Sequence, residues 1–220
     1  MSYSSERGKR PRQDDLPSPS NPIITAHTIS PLPLAQSHAL LLELSTSHPS
    51  AAPVIAAYIN RFTQDEAARR ANAPSVDFDH YSKSIWKALN ITHARKSGSK
   101  QYEAAHDIAG DIDDAVRDIL SRVAQSDRYA TRLSAFSTMR KVSKSIITCG
   151  EGEIRKVVMN SQAPGSLAEG MERVLDAMEA KGELQGLKDE GMAEKVAELD
   201  VEYGRYGIEE YKVLFEKLSG

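Results

Sequence analysis

Catalysis needs acids, bases or nucleophiles at spacings that let them converge. Few residues here meet that demand. The sequence contains no phosphate-binding glycine loop, no Ser-x-x-Lys, no Cys-x-x-Cys and no His-Glu-x-x-His. His27, His38, His48, His80, His93 and His106 are scattered. Asp107, Asp111, Asp114 and Asp118 form a carboxylate stripe, with Asp113 beside it. Carboxylates spread along a helix do not converge on one ion, and the spacing is not that of a calcium loop. The expected reading is a solvated face or one that meets a basic partner. No metal and no cofactor is expected. Cys149, the only cysteine, follows Ile146 and Ile147 and precedes Gly150. It reads as a small core or helix-end residue, and a lone cysteine allows no intramolecular disulfide.

Cations offer more. Arg128, Arg132, Arg140, Lys141 and Lys144 lie within one helical stretch, the candidate face for an anionic ligand, either a phosphopeptide or an acidic lipid. Arg132 sits inside the apolar arc of that stretch and Arg140 near its edge. Each has three readings: a buried partner for a carboxylate, the lining of an anion-binding groove, or a guanidinium reaching off the rim of the core. The basic residues are not interleaved with exposed aromatics, so nucleic acid is not expected as a partner. Arg122 to Lys156 holds eight basic and three acidic residues, whereas Glu183 to Gly220 holds five basic and ten acidic. The overall net charge of -3 conceals that asymmetry.

Residues 1–30 form a different class of sequence. Prolines at 11, 17, 19 and 22, many serines and few large apolar residues give too little burial to offset ordering entropy. A disordered arm is expected there. Arg7, Lys9, Arg10 and Arg12 match a short nuclear import signal. Ser18-Pro19 and Ser30-Pro31 are minimal proline-directed phosphorylation sites. The polar start lacks a secretory apolar core, and no apolar run approaches bilayer length.

Helical periodicity dominates the remainder. A leucine-rich helix from Leu34 to Leu44 ends at His48-Pro49, since a residue before proline leaves the helical region. Val54, Ile55, Tyr58, Ile59 and Phe62 give the next helix its apolar face. Asp77 caps a helix to Leu89 whose stripe is Phe78, Tyr81, Ile85, Trp86 and Leu89. Ile108, Ile112, Ala115, Val116, Ile119 and Val123 mark a helix over 100–124. Another runs from Asp127 to Cys149, a short one from Glu153 to Met159, and one from Leu167 to Ala180 with a Ser166/Glu169 capping box. Glycines weaken the acidic region after Lys181, yet Met192, Val196, Leu199 and Tyr203 still form a stripe, as do Tyr211, Leu214, Phe215 and Leu218. The expected fold is an all-α bundle of six or seven helices. Residues 1–30 are its arm, 31–180 the bundle and 181–220 an acidic helical C-terminal extension. Leu40, Leu44, Ile55, Trp86 and Ile112 are expected to be structural, on the apolar faces of their helices.

The block from Leu40 through Glu43, Leu44, His48 and Pro49 to Pro53, Val54 and Ile55 resembles the opening helix pair of the fungal nuclear-proteasome tethering factors. The order that follows is similar: a tyrosine-containing helix (Tyr81 to Leu89), one over Tyr102 to Val123, and a long one closing on glycines after Cys149. The similarity covers residues 30 to 180, and its most specific part is the His-Pro block.

That resemblance implies a six-helix bundle like the 14-3-3 fold in shape, self-association as a homodimer through the region before the bundle, and an arm that contacts the proteasome. It implies a non-enzymatic adaptor that tethers proteasomes in the nucleus, supporting nuclear protein degradation. A nuclear import receptor and the nuclear-envelope membrane become expected partners, and nucleus and cytoplasm the expected locations. One departure matters. The family's arm is lysine-rich and carries ubiquitin, whereas Lys9 is the only lysine before Lys83 here. Either Lys9 is the sole ubiquitin acceptor, or this chain contacts its partner differently, or it is a diverged relative.

Overall fold

A computed structural model describes residues 34–150 and 152–220. The arm, with Arg7, Lys9, Arg10, Arg12, Ser18 and Ser30, lies outside the described residues. Among the described residues all regular structure is helical: α1 (Leu34–Ser47), α2 (Ala52–Asn72), α3 (Asp79–Lys87), α4 (Gly98–Ala124), α5 (Tyr129–Thr148), α6 (Glu153–Met159), α7 (Ala163–Glu179), α8 (Leu184–Asp189), α9 (Met192–Gly204) and α10 (Glu210–Ser219). The helical bundle is therefore present, built from more helices than the six or seven expected. The chain divides into two units, one ending at Phe62 and the other beginning at Thr63, so the boundary falls within α2.

In the first unit, α1 stops where Pro49 forbids continuation. The His48 amide still closes the last turn on Leu44 O (3.0 Å). Ser45 and Thr46 hydroxyls donate to Leu42 O at 2.8 and 3.0 Å, satisfying a carbonyl near the helix end. Pro53 sits in the first turn of α2, where its missing N–H costs nothing. Leu40, Leu41, Leu42, Leu44, Val54, Tyr58 and Phe62 are exposed, Tyr58 by 73%. Ile55 is half-buried. This corrects the expected core roles of Leu40 and Leu44. Periodicity marks a face that is suited to burial without supplying what covers it.

The second unit holds the core. α4 runs through it with Ile108, Ile112, Ala115, Val116 and Ile119 buried. α5 contributes Phe136, Met139, Val142 and Ile146, and α7 contributes Leu167, Met171, Val174, Leu175 and Met178. The three helices meet closely at Gly170. A Cβ there would lie 2.9 Å from both Met139 Sδ and Val116 Cγ1, so only glycine fits without movement. Ile112 is fully buried, as its stripe predicts.

Side-chain capping contributes little at the helix starts, none of the helices from α3 to α10 having a side-chain hydrogen bond from its cap residue. Asp77 Oδ1 accepts the Asp79 amide at 3.0 Å, an Asx turn one residue ahead of Phe78, which takes the cap position expected for Asp77. α3 then runs into a π-helical segment, Ala88–Thr92. The Ser166/Glu169 box does not form. α7 begins at Ala163 and tolerates Pro164 in its first turn. Ser161 Oγ accepts the Ala163 amide at 3.2 Å, while Glu169 pairs with Arg173 at 2.5 Å.

Residues 184–219 are part of the core rather than an extension to it. Leu187, Met192, Val196, Leu199, Tyr203, Tyr211, Leu214 and Leu218 are buried in the same cluster as α4, α5 and α7. Tyr203 and Tyr211 stack with ring centroids 4.2 Å apart and planes 3° from parallel. The Tyr203 hydroxyl donates to Ser143 O and the Tyr211 hydroxyl to Ser143 Oγ, both at 2.9 Å. Burial pushes both phenols above their ordinary range. They are locked as neutral donors that fasten α9 and α10 to α5. Acidic residues still dominate the outside of this segment, so its composition masked its buried stripe.

Candidate functional site

α3 and α5 lie side by side, and a groove of about 560 Å³ opens between their outer faces and the π-helical segment. Its apolar surface comes from Trp86 and Ile91. Trp86 is 47% exposed, which corrects its expected place in the core. The α3 stripe splits: Phe78, Ile85 and Leu89 turn inward, and the indole falls at the stripe's margin, over the groove. Five cations line the same groove: Lys83 and Lys87 from α3, and Arg140, Lys141 and Lys144 from α5. No carboxylate is among the lining residues.

Two carboxylates stand next to the groove. Asp79 receives Lys141 Nζ at 2.6 Å and Lys83 Nζ at 2.8 Å. These ammonium groups, Lys141 first, hold the Asp79 carboxyl well below the ordinary carboxylate range. Glu198 of α9 receives Lys144 Nζ at 2.9 Å, which likewise lowers its pKa. Asp77 also acts on Lys83, so five positive charges face three negative ones, an excess of two. Arg140 is held partly within the protein, and its Nε has no hydrogen-bond acceptor. Burial pushes its guanidinium pKa down, and Glu198 opposes that shift.

Of the five cations singled out in the sequence, the structure brings together Arg140, Lys141 and Lys144 and removes two. Arg132 is 1% exposed and belongs to the core. Its Nε and Nη2 donate to the Glu183 carboxylate at 2.7 and 2.5 Å, and Nη1 and Nη2 to Ser126 O and Asp127 O at 3.2 and 3.1 Å. Of the three readings, the buried carboxylate partner is the one realised. Arg128 is at the start of α5, where its Nε donates to Ala73 O at 3.0 Å. Twelve residues of helix put it about 18 Å from Arg140 along the axis. Lys83 and Lys87 were missed. Their signal was the four-residue spacing around Trp86, which carries no meaning until α5 lies alongside.

The carboxylate stripe of α4 faces a second groove, on the other side of α3, lined by Asp111, Asp114, Asp118, Tyr81 and Ser84. The Tyr81 hydroxyl donates to Asp118 Oδ2 at 2.7 Å, and Arg122 Nε lies 2.8 Å from the same oxygen. Asp114 pairs with Arg117. Among the described residues no group of three or more His, Cys, Asp or Glu side chains could hold a metal ion. Cys149 is buried, and its thiol donates to Leu89 O at 3.5 Å. Desolvation raises its pKa, which disfavours the thiolate. Among the described residues no helix is long and apolar enough to cross a membrane.

No family model, curated protein or solved structure gives a significant match to this chain.

Proposed function

We propose that this chain is a non-enzymatic adaptor that tethers the proteasome in the nucleus and so supports nuclear protein degradation. The observation that supports this reading is the block from Leu40 to Ile55. It resembles the tethering factors in sequence, and here it is a helix pair whose large apolar side chains face solvent. Eight large apolar side chains left exposed between Leu40 and Phe62 are more than the scattered few an ordinary surface carries, and they mark a binding surface. The compact core from α3 to α10 can then be held in place while residues 1–30 reach the partner. In this reading the exposed pair α1–α2 self-associates as a homodimer. The arm engages the proteasome, and Arg7, Lys9, Arg10 and Arg12 recruit a nuclear import receptor. The chain moves between cytoplasm and nucleus, and the nuclear-envelope membrane is the anchor surface.

Affinity purification of the tagged full chain tests this, alongside Lys9→Arg and a form lacking residues 1–30. Proteasome subunits should be recovered with the full chain and lost with the deletion. If ubiquitin on Lys9 is the link, Lys9→Arg also releases them although the charge is kept. If the arm binds directly, Lys9→Arg is tolerated. Equal recovery with the full chain and the deletion contradicts both versions.

A second reading is favoured by the α3–α5 groove: a helical module that binds an anionic ligand. Its residues are Arg140, Lys141 and Lys144 from the original set, joined by Lys83 and Lys87.

A further inference from the structure

We infer that the α3–α5 groove docks an acidic peptide segment that places one bulky apolar side chain against Trp86 and Ile91. The inference rests on the anionic-ligand reading and names the ligand class. Four observations favour a peptide. Charge comes first: the lining holds five cations and no anion, and adjacent Asp79 and Glu198 offset only part of that excess. Carboxylates on a partner would restore the balance and speed its encounter.

The second observation is the indole. Trp86 and Ile91 are 47% and 54% exposed in the same groove as the five cations. Apolar surface set among charges is the pattern of a binding hot spot with a polar margin. A ligand that supplied charge alone would leave both in water. The third is Arg140, whose guanidinium lines the groove while its buried Nε has no acceptor within the protein. A carboxylate in the groove would meet that under-satisfied guanidinium, and charge-assisted contacts of this kind are short and strong. The fourth is shape. The site is an open groove, not an enclosed cavity, with a volume of about 560 Å³ that falls in the range of ligand sites. A flat lipid surface would meet the lysine ammonium groups without filling it.

Trp86 is the only tryptophan in the chain, so its fluorescence reports this site alone. The probe is a short synthetic peptide of aspartate and glutamate around one central leucine, titrated into the full chain at low ionic strength. Its control is the same peptide with serine in place of the leucine. Binding should shift Trp86 emission to the blue and weaken as salt rises. The serine peptide should bind roughly tenfold more weakly, the loss expected when an anchor of about 1.4 kcal/mol is removed. Arg140→Gln should weaken the leucine peptide by a similar factor. Lys87→Glu, at an exposed position, should do so with an unchanged thermal midpoint. Equal affinity for the two peptides overturns the apolar anchor. Phosphatidylserine vesicles shifting the emission where the leucine peptide does not would overturn the peptide assignment and leave the anionic-ligand reading standing. Silence from both probes overturns both.

Discussion

A guanidinium at 1% exposure must find acceptors inside the protein, and Arg132 finds a carboxylate and two carbonyls. This joins the start of α5 to the turn before α8. Sequence placed Arg132 inside an apolar arc but could not choose between a binding cation and a structural one, because Glu183 is 51 residues away. Removing one member of a buried pair leaves an uncompensated charge and typically costs about 3–5 kcal/mol. Glu183 is 21% exposed, so the lower end applies. Glu183→Ala should therefore cost about 3 kcal/mol, lowering the thermal midpoint by roughly 6–12 °C. An unchanged midpoint would show that Arg132 is satisfied without Glu183. Trp86 shows the opposite miss. It shares the three-and-four spacing of Phe78, Ile85 and Leu89, yet lies at the edge of their arc.

At the scale of elements, α4 was the most legible. Its apolar stripe is buried against α5, α6 and α7 and its carboxylates face outward, so one periodicity describes both faces. The α3–α5 pairing was not legible, since it depends on long-range contacts. Asp79 to Lys141 is one of them, and it carries a pH signature. The folded-state pKa of Asp79 lies below its ordinary value of 3.8. Its stabilising contribution is thus complete above that value and is lost as pH falls through the lower, folded-state one. Asp79→Asn should lower the thermal midpoint at neutral pH, and the gap from wild type should close as pH falls below 3.8. A gap of equal size at neutral and strongly acidic pH would remove the ion pair from the account. The closing helices were under-read for a physical reason. Glycines at 182, 191 and 207 take positive φ between or after short helices, which breaks the long stripe a sequence reader looks for.

For the whole molecule, the sequence separates an arm, a bundle and a C-terminal extension, and the described residues divide differently. α8 to α10 join the core, while α1 and the first part of α2 form a unit with its apolar side chains outside. If that surface is where copies meet, Leu42→Asp with Tyr58→Asp should turn a dimer into a monomer in sedimentation velocity without loss of helicity. Identical sedimentation of wild type and variant would exclude the pair as the interface.

Tethering itself is tested most directly by the position of the proteasome in living cells. A fluorescent proteasome subunit is imaged in cells lacking this protein, then after return of the full chain, of Lys9→Ala with Arg10→Ala and Arg12→Ala, or of a form without residues 1–30. The full chain should restore nuclear enrichment of the proteasome. The triple substitution should leave the protein in the cytoplasm and fail to restore it, and the arm deletion should also fail. A proteasome distribution indifferent to the presence of this chain would contradict the tethering role.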